Sequence, residues 1–246
     1  MTKPHRPKPD LPHGLADAIR KAWPDGVVDM PANVDEAPFW DVYPKLKASL
    51  SGILGVDALY EREPQGAPQW DDGSNPDEDP PDWDAESRSY HLFFLPLADD
   101  RFQFETDTLE PDEDGVEQRV SGEGRIGCAV GISLIAPFAI VTLEQREVFE
   151  SGSRSEPDIQ PHMFDLDGRT LDMDEHFKEM VDEDGIAILR KLREDIVSIL
   201  DNHGIAVIGE DDLEKPVPWL RAGGDAFLGS AGEPITVRDA FFFHGP

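Results

Sequence analysis

The stretch RIGCAVGISLIAPFAIVTLE, residues 125–144, places 18 consecutive uncharged residues between Arg125 and Glu144. That length just meets the requirement for a membrane-spanning helix. The residue types argue otherwise. Gly127, Gly131 and Pro137 interrupt the run, and β-branched residues recur through it. The reading is therefore two buried strands with a bend at Ala136 and Pro137, and no membrane contact is expected.

The flanking segments extend this into a β region. Ser89–Leu97 and Arg101–Leu109 are rich in aromatic residues, and Asp99 and Asp100 between them predict a hairpin turn. Phe102, Phe104, Thr106 and Thr108 then share one face. Val116–Val120 and Arg125–Ile135 read as a second hairpin around Ser121, Gly122 and Gly124. Ala139–Phe149 adds a strand with Val141, Leu143 and Phe149 on one side and Thr142, Glu144 and Arg146 on the other. Short connections between consecutive strands imply an antiparallel meander.

Helical spacing appears on both sides of the strands. Leu15, Ile19 and Trp23 put an amphipathic helix at Leu11–Trp23, stopped by Pro24, Asp25 and Gly26. A second helix is expected from about Pro38 to Leu59, weakened by Gly52 and Gly55. Asp172 and Glu175 have the spacing of a capping box, and Phe177, Met180 and Val181 follow. Gly185 can break that helix. Ile188, Leu189, Leu192, Ile196, Ile199 and Leu200 continue its apolar stripe to Gly204. Ala206–Ile208 reads as a short strand and Ile235–Phe243 as a last one. The fold class expected is α+β: an antiparallel β meander covered on one face by a long C-terminal helix, with N-terminal helices. Residues 1–12 read as a mobile tail and 13–246 as a single domain, interrupted by an acidic, Pro-rich loop at about 61–87.

Charge is the unusual property. There are 52 Asp and Glu against 22 Lys and Arg, a formal net charge of −30. Such a chain repels phosphate and anionic membranes, so direct nucleic-acid binding is disfavoured. It attracts basic partners, and at low salt the encounter is faster. Residues 71–86 concentrate the effect, with eight acidic side chains, three prolines and no basic residue. Trp70 and Trp83 stand at its edges, and an aromatic beside carboxylates can anchor a partner. The alternative is that each Trp folds back on the domain.

Motifs for chemistry are weak. There is no Walker-type phosphate loop. Gly122, Gly124 and Gly127 lie between strands, without the helix N-terminus that a dinucleotide needs. Gly131-Ile-Ser133 lacks the second glycine of a nucleophile elbow. The single cysteine, Cys128, sits in the apolar run, where an inert buried thiol is expected. One cysteine permits no intrachain disulfide, and the Pro-rich, basic N-terminus is no secretory signal, so a cytoplasmic location is expected. His91, within a strand, reads as a packed histidine. His162, Asp165, Asp167 and His176 are the weak metal candidates, set in a run from Asp158 to Glu179. They lack strict ligand spacing, and Asp165-Leu-Asp167-Gly168 also reads as an ordinary turn. No cofactor is expected and no residue receives a catalytic role.

The function expected from these residues is non-catalytic: an acidic binding protein that neutralises a basic protein partner, possibly a toxin, in the manner of immunity proteins. Trp70, Asp71, Asp72, Asp77, Glu78, Asp79, Asp82, Trp83 and Asp84 form its partner-binding set. Three alternatives remain. One is a DNA mimic that inhibits a nucleic-acid enzyme. Another is a metal-dependent enzyme using the 158–179 cluster. The last is a housekeeping domain whose acidic surface is an adaptation to salt.

Overall fold

The computed structural model describes residues 11, 13–28, 37–57, 60–62, 89–111, 115–150, 183–223 and 234–242. The architecture is α+β, with a mixed, mostly antiparallel sheet. In chain order the elements are α1 (His13–Ala22), β1 (Val27–Val28), α2 (Ala37–Ser51), β2 (Tyr60–Arg62), β3 (Tyr90–Pro96), β4 (Gln103–Pro111), β5 (Glu117–Ser133) and β6 (Phe138–Phe149). Then follow α3 (Glu183–Asn202), β7 (Ala206–Val207), α4 (Glu210–Leu213), β8 (Arg221–Ala222) and α5 (Val237–Phe241).

β5 organises the sheet. It runs unbroken for 17 residues, roughly 55 Å at the usual rise per residue. The uncharged run of residues 126–143 divides between β5 and β6, joined by the turn Leu134–Pro137. β6 lies antiparallel along one side of β5, from Gly122↔Phe149 to Ile132↔Ala139. Along the other side lie β3 and β4, end to end. β3 pairs from Tyr90↔Ser133 to Pro96↔Gly127, and β4 from Gln103↔Arg125 to Pro111↔Glu117.

Neither hairpin expected from the sequence forms; the hairpins are instead β4–β5 and β5–β6. Asp99 and Asp100 do turn the chain, but they do not fold β4 back on β3. Between the two pairings the chain advances seven residues, from Pro96 to Gln103, while β5 advances two, from Gly127 to Arg125. The surplus loops out around a 3-10 turn at Asp100–Phe102. Asp99 caps that turn by accepting from the Arg101 amide at 3.0 Å, and Phe102 enters the core completely buried.

The glycines that suggested a turn inside β5 are strand residues that admit close neighbours. A Cβ on Gly124 would lie 2.1 Å from the tip of the Phe104 ring, and one on Gly127 would lie 2.1 Å from the Leu95 carbonyl oxygen. An aromatic laid over a cross-strand glycine is a known way to fill a gap in a sheet.

Alternation along the strands sends side chains to two cores. Phe93, Leu95, Cys128, Val130, Val141 and Leu143 face α2 and α3, which add Leu46, Leu50, Leu189, Leu192, Ile196 and Leu200. Tyr90, Leu92, Phe94, Ala129 and Ile140 face the other way, toward Leu15, Ile19 and Trp23 of α1 and Val237, Ala240 and Phe241 of α5. The sheet is thus covered on both faces, not on one. Each large side chain so buried contributes about 1.5–3 kcal/mol. The indole of Trp23 donates to the Ala240 carbonyl at 2.9 Å, which ties α1 to α5.

The ends of the chain depart further from expectation. α2 stops at Ser51, followed by the turn that holds Gly55 at φ +85°. β7 joins β6 in parallel through Phe138↔Ala206 and Ala139↔Val207, which makes the sheet mixed and breaks the simple meander. The expected last strand, Ile235–Phe243, contains a helix instead. Thr236 and Asp239 form a reciprocal capping box at the start of α5. That local signal outweighs the β-propensity of Ile235 to Phe242. The packing of Ala240, Phe241 and Phe242 into the second core secures it.

Candidate functional site

The residues singled out for partner binding, Trp70, Asp71, Asp72, Asp77, Glu78, Asp79, Asp82, Trp83 and Asp84, lie outside the described residues. So do the metal candidates His162, Asp165, Asp167 and His176, and the capping pair Asp172 and Glu175. Among the described residues no three His, Cys, Asp or Glu side chains gather into a metal-binding group. No described helix is long and apolar enough to cross a membrane.

Two positions raised from the sequence are structural. Cys128 is fully buried, and burial pushes its thiol up to about 12 from 9.0, with Arg193 opposing and Glu144 assisting. Such a thiol is neither a nucleophile nor a ready ligand. His91 is also fully buried. Its ring sits among Phe39, Trp40, Tyr43 and Phe93, with centroids 5.4, 6.1, 5.3 and 4.6 Å away. It belongs to an aromatic cluster that docks α2 on β3.

Ion pairs neutralise part of the charge in the described residues. Ion pairs include Arg20–Asp17, Arg101–Asp99, Arg119–Asp107, Arg125–Asp57, Lys191–Asp195, Lys215–Asp212 and Arg238–Glu214. The Arg101 guanidinium hydrogen-bonds the Asp99 carboxylate at 2.8 Å, and this contact holds the carboxyl at about 2, well below the usual carboxylate range.

Where β4 pairs with β5, the sheet leaves the cores. β4 alternates half-buried and exposed residues from Phe104 to Pro111, whereas β5 is buried throughout from Ile126 to Ser133. The arm so formed places Glu105 opposite Glu123, both exposed, and leaves Leu109 62% exposed at its far end. On this arm Arg119 pairs with Asp107, and Arg125 and Arg146 stand opposite each other at its root.

At the opposite end of β5 there is a cavity of about 720 Å³. It opens between α1, α2, the turn Leu134–Pro137 and the residues His203 and Ile205 that follow α3. Phe39, Val42, Ile132 and Leu134 supply apolar walls, with Lys21, Ser133 and His203 as polar groups. Ser133 Oγ accepts from the Ile135 amide at 3.2 Å, and Ser49 Oγ lies 3.4 Å from His203 Nε2. Sequence reasoning missed this place because its walls come from four separate segments, none with a motif.

Comparison of the chain with protein-family models, curated proteins and solved structures returns no match.

Proposed function

We infer that this is a non-catalytic acidic binding protein whose partner is a basic protein. The observation that supports this reading is the uneven distribution of charge. Residues 63–88 and 151–182 together hold 18 Asp and Glu against 4 Lys and Arg, while the rest of the chain holds 34 against 18. A uniform adaptation to salt gives no such contrast. A phosphate mimic needs an unbroken row of carboxylates, and on the β4–β5 arm the Arg119–Asp107 pair interrupts one.

In this reading the carboxylates of residues 71–86 steer the encounter, and Trp70 or Trp83 supplies an apolar contact after docking. The partner has a cationic face, as a toxin with a basic active site would. Its capture from lysate of the native cell at about 50 mM salt should fail at about 500 mM, because screening shortens the reach of exposed charges. Surface plasmon resonance then compares the wild type with a variant in which Asp71, Asp72, Asp77, Glu78, Asp79, Asp82 and Asp84 become Asn or Gln. Its on-rate should fall about tenfold or more at low salt, with a much smaller change in off-rate. An unaltered on-rate removes the steering role.

A further inference from the structure

The cavity at the Leu134–Pro137 end of the sheet reverses the charge character of the chain. Acidic residues outnumber basic ones 52 to 22, yet no described residue lining this cavity is Asp or Glu. Its ionisable groups are Lys21, in the last turn of α1, and His203, just beyond α3. Nearly all the remaining wall is apolar. Ser133 adds a hydroxyl whose oxygen already accepts a backbone hydrogen bond, which leaves its proton to donate. A volume of about 720 Å³ lies within the range of small-ligand sites, and apolar walls with a few convergent polar groups are their usual chemistry.

We propose that this cavity binds a small amphipathic anion, a medium-chain carboxylate in chemical class. The apolar body lies against Phe39, Val42, Ile132 and Leu134. The carboxylate meets the Lys21 ammonium, with the Ser133 hydroxyl as a further donor. A cationic amphiphile is disfavoured because Lys21 repels its head group and no described lining residue is a carboxylate that would compensate. A neutral one gains the apolar contact but not the charge-assisted hydrogen bond. This site and the proposed protein interface rest on different residues, and neither reading depends on the other.

The test uses the full chain and the fluorescent anion 1-anilinonaphthalene-8-sulfonate as probe, displaced by decanoate, decanol or decyltrimethylammonium. The expected result is one saturable site from which decanoate displaces the probe at about one-tenth the concentration of decanol. Decyltrimethylammonium should displace less well than either. Lys21→Glu, at an exposed helix position, should weaken decanoate about tenfold and leave decanol unchanged. Val42→Trp should fill the cavity and abolish displaceable binding. Ala187→Phe, at the separate groove between the turn Ile53–Gly55 and α3, should leave binding intact. Circular dichroism confirms that each variant is folded. Equal displacement by the three amphiphiles overturns the proposal, as does a Lys21→Glu protein that binds decanoate like the wild type.

Discussion

Gly124 and Gly127 stand three residues apart on β5 and tolerate substitution differently. The obstacle above Gly124 is the ring of Phe104, a side chain that can be shortened; above Gly127 it is the backbone of β3. Gly124→Ala should cost about 1–3 kcal/mol in urea denaturation. Most of that loss should vanish in a Phe104→Ala background, where a double-mutant cycle reads the coupling. Gly127→Ala should cost about 3 kcal/mol, and the same Phe104→Ala background should not relieve it. Cys128 offers a second measurement. Burial opposes the thiolate and pushes its pKa in the folded chain up to about 12, from the ordinary 9.0. The stabilisation from keeping it neutral is complete below pH 9 and declines as pH rises toward 12, since only the unfolded chain ionises there. The native thiol should accordingly resist a disulfide reagent at pH 8 and react once the protein is unfolded. Rapid labelling of native protein would contradict its burial.

The elements most legible in the sequence were those whose periodicity extends over several turns or pleats. α1 and β6 follow from apolar spacing and β3 from its aromatic content; the stripe from Ile188 to Leu200 marks α3, whose expected start at Asp172 lies outside the described residues. The misreadings came where a local signal had two meanings. Gly122 and Gly124 suggested a turn, but glycine inside a strand also makes room for a facing ring. Ile235 to Phe242 had β-propensity, while the Thr236–Asp239 spacing carried the opposing helix signal. Thr236→Ala should cost about 1 kcal/mol by removing the cap of α5, read as a shift in the denaturation midpoint with unchanged slope. A cap without effect would mean that packing of Phe241 and Phe242 alone holds the helix. β7 was legible as a short strand, but its parallel partner was not, because two residues carry no information about direction. The cavity was illegible for a related reason: its lining is assembled by tertiary contacts between segments far apart in the chain.

At the scale of the whole molecule, a net charge of −30 opposes compaction through self-repulsion. Added sodium chloride should raise the midpoint of thermal unfolding steadily across about 0.05–0.5 M, as the screening length falls below the spacing of exposed charges. A flat response would show that local ion pairs such as Arg238–Glu214 and Arg125–Asp57 already neutralise the field where it matters. That result would also weaken the case for long-range steering of a cationic partner.

The sheet also imposes an order of assembly. β5 and β6 meet across the four-residue turn Leu134–Pro137, so their pairing closes a very short loop. β7 reaches β6 only through Phe138↔Ala206 and Ala139↔Val207, contacts between residues 68 apart in sequence. Such a closure is slow relative to the hairpin. A chain emerging from the ribosome can therefore form the β5–β6 ribbon well before residue 206 arrives to cover the Phe138–Ala139 end of β6. During that interval the growing chain presents an unpaired strand edge, the feature most open to capture by chaperones or by other nascent chains.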